Sequence, residues 1–77
     1  MILNKSWIYL YVYPTLVQDH ITIEGIDKKS SYEIHSFNQE NMQSGSVSNQ
    51  EKVDLSHLPS GMYYITINGE AFKFVKT

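Results

Sequence analysis

Apolar residues recur at every second position along most of this chain, which is the repeat of strands rather than helices. In residues 6–13, Trp7, Tyr9, Tyr11 and Tyr13 fall on one face and Ile8, Leu10 and Val12 on the other. Both faces are apolar, so this strand is expected to be sandwiched or to need a partner. Pro14 ends it, because proline has no N–H to give to a ladder. A second strand is predicted over 20–24, with Ile21 and Ile23 inward and His20, Thr22 and Glu24 outward. The polar loop 25–31 carries Ile26 as its anchor. A third strand, over 32–37, turns Tyr32 and Ile34 inward and Glu33 and His35 outward, and 38–41 is a turn. The fourth strand is weakly written: Met42, Ser44 and Val47 are interrupted by Gly45. After the polar stretch 48–52, Val53 and Leu55 make a short fifth. Leu58-Pro59-Ser60-Gly61 has turn chemistry, with Pro59 suited to the second position and Gly61 to the fourth. Residues 62–67 place Tyr63, Ile65 and Ile67 on one face. Asn68-Gly69 tolerates positive φ at both positions and predicts a two-residue hairpin turn. The return over 70–76 puts Phe72 and Phe74 on one face and Lys73 outward. About seven short strands with closely spaced turns predict a small all-β antiparallel sandwich.

Length and composition narrow the function. At 77 residues the chain is one small domain, whose folding hides only about 60% of the unfolded surface. It has no cysteine, which excludes a disulfide framework, a thiolate metal site and a cysteine nucleophile. The net charge is −2 and there is no arginine, a poor footprint for nucleic acid. The apolar run 7–13 precedes Pro14 and no small-residue cleavage site, so residues 1–14 are not expected to act as a signal peptide. No stretch approaches the roughly 20 apolar residues of a membrane span.

Catalytic chemistry is expected to be absent. His20, His35 and His57 lack metal-ligand spacing, and surface positions are the plainer reading. No G-x-S-x-G elbow exists. Ser60 sits inside a turn, and Asp54 with Ser56 reads as a hydrogen-bonding corner. Asp19 and Asp27 lack the alternate carboxylates of a calcium loop. No cofactor is expected. The stripe Trp7, Tyr9, Tyr11 and Tyr13 is read first as core or subunit interface, because such rings bury large areas.

Several segments also carry a family pattern. Val12-Tyr13-Pro14, followed by Asp19-His20-Ile21-Thr22-Ile23, resembles the opening of the C-terminal sorting domains (type A) of the Bacteroidetes type IX, or Por, secretion system. Tyr32-Glu33-Ile34 is similar to an inner strand of that family. Residues 53–65, with Leu58, Gly61 and Tyr63, resemble its most specific block, and Phe72-Lys73-Phe74-Val75-Lys76 its close. Departures are Thr15-Leu16 after Tyr-Pro, Gln39 at the family's turn glycine, and His35-Ser36 for a Tyr-Asp pair.

The resemblance implies an Ig-like β-sandwich over residues 12–77, with 1–11 a preceding strand or linker remnant. It implies a non-enzymatic sorting signal, normally at the end of a secreted cargo, recognised by secretion-machinery proteins and removed by a sortase-like peptidase. The implied location is secreted or cell-surface; without a signal peptide, the isolated chain is expected to stay cytoplasmic. Leu58, Gly61 and Tyr63 are then expected to build the turn, and Lys73, Val75 and Lys76 to be recognised. The alternative is a small binding module for carbohydrate or protein using Trp7, Tyr9 and Tyr11. The same three rings are the expected interface of a homo-oligomer of the isolated chain.

Overall fold

A computed structural model describes residues 9–77; Trp7 and the start of the 6–13 segment lie outside them. The elements are β1 (Tyr11–Tyr13), β2 (Leu16–Val17), β3 (His20–Glu24), β4 (Ser30–Ser36), β5 (Asn41–Val47), β6 (Lys52–Asp54), β7 (Gly61–Ile67) and β8 (Glu70–Lys76). They form a three-stranded sheet, β1-β3-β6, and a five-stranded sheet, β2-β8-β7-β4-β5. The fold is all-β, as the period of two required.

Alternation assigns the faces. Ile21 and Ile23 on β3, Ile34 on β4, Ile65 and Ile67 on β7, and Phe74 on β8 are all buried to within about one per cent. They meet Val17, Val47 and Leu55 in one core cluster between the sheets. Each such side chain contributes roughly 1.5–3 kcal/mol of burial. Ile26 anchors its polar loop in this core at 7% exposure.

Three local expectations change. Among the described residues the first strand is only Tyr11–Tyr13, and Tyr9 and Leu10 lie outside regular structure. Past Pro14 the chain crosses to the other sheet as β2, which pairs parallel with β8 through Leu16↔Val75 and Val17↔Lys76. Two residues are too few to show a period, so sequence pattern could not reveal β2. The strand predicted fourth is β5, and it runs unbroken through Gly45, which lies opposite Tyr32 on β4. A Cβ there would come within 3.0 Å of the Tyr32 hydroxyl oxygen. The glycine therefore makes room for the tyrosine ring rather than breaking the strand.

The hairpin forms as written. Ile67 pairs with Glu70, while Asn68 and Gly69 take φ of 52° and 81°. The pairing is antiparallel throughout except where β2 meets β8.

Candidate recognition surface

The residues singled out near the chain's end divide between support and surface. Leu58 and Tyr63 are 5% and 4% exposed. Leu58 N–H donates to Leu55 C=O at 3.0 Å, so the hydrogen-bonded turn spans 55–58, three residues ahead of the predicted 58–61 turn, and Gly61 opens β7 instead. The Tyr63 hydroxyl donates to Pro59 C=O at 2.6 Å, and its ring stacks on Phe74 at 5.6 Å. A tyrosine tied to backbone a few residues upstream is also a device of immunoglobulin-type corners. Leu58 and Tyr63 are buried in this corner, while Gly61 is exposed at the start of β7.

Lys73, Val75 and Lys76 are not equivalent. Lys73 is exposed and Val75 is 37% exposed, whereas Lys76 is 7% exposed. Alternation turns Lys76 to the same face as Phe74, and its Nζ donates to the Thr77 main-chain oxygen at 3.0 Å. Beside it, Val75 N–H donates to Thr15 C=O and Thr77 N–H to Val17 C=O, each at 2.8 Å. Lys76 thus lies within the clasp that holds β2 to β8, while Lys73 and Val75 face solvent.

Val75 belongs to a row across the outer face of the five-stranded sheet. Register sets Leu16 beside Val75 and Val75 beside Met62, and Phe37 N–H donates to Met62 C=O at 3.1 Å. These four side chains are 65%, 37%, 39% and 67% exposed. Tyr64 lies in the next row, between Lys73 and His35. With His35, Ser36, Phe37 and Gln39 it lines a shallow cleft of about 620 Å³. Sequence reasoning missed this surface. Its signal was present, since Met62 and Tyr64 are apolar at the outward phase of an alternating strand.

The aromatic stripe lies on the other sheet. Tyr9, Tyr11 and Tyr13 are 72%, 48% and 40% exposed, so the reading of these rings as this domain's own core is corrected. It is Val12 that enters the core, and Leu10 packs against it. Tyr11 and Tyr13 pack ring to ring at 5.6 Å. The Tyr13 hydroxyl donates to Glu24 Oε1 at 2.9 Å, and this bond holds the phenol above its ordinary pKa of 10.0. Trp7 lies outside the described residues.

The polar candidates are surface groups. His20 Nδ1 is 2.9 Å from Asp19 Oδ1, and His35 Nε2 is 3.7 Å from Glu33 Oε1. Among the described residues no three His, Asp or Glu side chains gather as a metal site would require. Asp54 Oδ1 accepts the Ser56 N–H at 3.1 Å. That bond lowers the Asp54 pKa below the usual 3.8.

A corner built from Leu58, Gly61 and Tyr63 and a closing strand with alternating Lys73 and Val75 are the features the family pattern carries. The family model for the secretion system C-terminal sorting domain matches residues 11–77. The chain belongs to this family. The match starts at the first residue of β1 and takes in every strand of the described residues. Neither a curated relative nor a solved structure matches the chain. Membership makes it a type IX sorting-signal domain, a non-catalytic class. No helix among the described residues is long and apolar enough to cross a membrane.

Proposed function

We propose that the domain acts as an export signal read on the outer face of its five-stranded sheet. The observation that carries this is the exposed row Leu16, Val75, Met62 and Phe37, with Lys73 beside it, on and around the closing strand. A contiguous apolar surface flanked by charge is the chemistry of a protein-docking site. Lys73 and Val75 are read directly, and Lys76 keeps β8 in register with β2. The reader is the type IX machinery, after which a sortase-like peptidase removes the domain and leaves its cargo at the cell surface.

The test is a reporter fused behind a signal peptide and ahead of residues 12–77, expressed in a type IX-competent host. The reporter is expected at the cell surface. Val75→Glu with Met62→Glu is expected to hold it in the periplasm while circular dichroism shows the fold intact. A wild-type reporter retained in the periplasm, with the domain folded, rejects the proposal.

The exposure of Tyr9, Tyr11 and Tyr13 favours a second reading, a binding module for sugar or protein. Rings of this kind stack on either. On this reading, ligand binding is lost in Tyr9→Ser/Tyr11→Ser while export continues.

A further inference from the structure

The free edge of the five-stranded sheet at β5 is unusually bare. β5 is seven residues long and, among the described residues, has β4 as its sheet neighbour on one side only. Natural edge strands are blunted by charge, proline or shortness. The other edges follow that rule: β1 and β6 have three residues, and β2 has two. β5 does not. Residues 41–50 contain no charged side chain and no proline.

The register settles which backbone groups face outward. In a two-residue hairpin the flanking pair Ile67↔Glu70 is hydrogen-bonded, and antiparallel pairs then alternate. Thr66 and Tyr64 therefore bond to Glu33 and His35, in phase with the Phe37 N–H to Met62 C=O bond. Tyr32 and Ile34 turn to Gly45 and Gln43. Ser44 and Ser46 are left with N–H and C=O directed away from the sheet. The strand is held firmly while it presents them. Gln43 Nε2 donates to the Tyr32 hydroxyl at 2.8 Å and reaches Asp54 C=O on β6 at 3.4 Å.

We propose that β5 is a strand-pairing surface whose occupant is the β5 edge of a second copy, antiparallel across a two-fold axis at Gly45. In that register each Ser44 meets the partner's Ser46, and each pair exchanges two N–H to C=O bonds. Gly45 meets Gly45 with no side chain between them. The absence of charge on β5 is what admits a second copy: no like charges oppose each other across the axis. A strand-to-strand contact of this length is small, so the dimer is weak and concentration-dependent.

The experiment is sedimentation equilibrium on the whole chain up to about millimolar concentration, paired with amide hydrogen exchange at both ends of that range. Dimerisation is expected, with Ser44 and Ser46 amides protected only at high concentration and Gly45 and Gln43 protected throughout. Ser44→Lys/Ser46→Lys sets two like-charge pairs across the axis and should weaken association roughly tenfold. Both side chains are exposed, so the fold should survive. Mixing it with Ser44→Glu/Ser46→Glu should restore a mixed dimer. A monomer throughout the range overturns the proposal. So does a dimer that ignores the lysines but is lost in Tyr9→Ser/Tyr11→Ser, which would place the contact on the aromatic stripe.

Discussion

Gln39 has a φ of 67°, in the left-handed region that costs a side-chain-bearing residue about 1–2 kcal/mol. Glycine adopts this φ without a side-chain penalty. Gln39→Gly is expected to raise stability by about 1 kcal/mol, the relief of strain less glycine's extra unfolded-state entropy. Chemical denaturation would measure it, and an unchanged midpoint would contradict it. Gly69 makes the opposite case. Its φ is 81° and a Cβ placed there meets nothing beyond its chain neighbours within 4 Å, so the cost of Gly69→Val falls on the backbone. A loss of about 1–2 kcal/mol is expected in the same assay. Asp54 adds a pH dependence. Its folded pKa is depressed by the Ser56 N–H, so its contribution is present above the unfolded value. It is lost as pH falls through the lower folded value. Asp54→Asn should flatten stability below about pH 4, read as the unfolding midpoint across an acid series.

At the scale of elements, β2 and β8 show how little chain a structural joint needs. Two paired residues and two 2.8 Å backbone bonds tie residues 15–17 to the closing strand. Val17 is fully buried under them. Val17→Ala should cost about 2 kcal/mol. It should also speed amide exchange at Val75 and Thr77 while Phe72 and Phe74, paired to β7, stay protected. Equal acceleration along all of β8 would mean that β2 is no separate clasp. The same joint separates the three recognition candidates. Lys73 and Val75 sit at outward phases, and Lys76 is drawn under the clasp, a distinction that motif matching alone does not make.

At the scale of the molecule, both sheets share one core cluster. Unfolding is therefore expected to be a single transition, with far-ultraviolet circular dichroism and near-ultraviolet tyrosine signals coincident. Separate midpoints would show that the three-stranded sheet melts independently. The two outer faces differ in kind. One carries the row Leu16, Val75, Met62 and Phe37, and the other the rings of Tyr9, Tyr11 and Tyr13.

The sequence by itself determined the all-β class, the inward residues of the long strands and the Asn68-Gly69 turn. These follow from period-two alternation and local φ preference, which act within a few residues. The family was legible for the same reason, because residues 53–65 and 72–76 keep its pattern in consecutive positions. Only the tertiary structure decided which strands are neighbours, and with that which apolar side chains stay in water. Met62 and Tyr64 have ordinary strand residues on either side, but pairing aligns Met62 with Val75 and Leu16 to make a surface. Tyr11 and Tyr13 have the composition of a core, yet Val12 takes the inward phase and leaves their rings outside. Gly45 looked like an interruption until Tyr32 was placed across from it. Each of these outcomes rests on contacts between residues far apart in the chain, which no local pattern encodes.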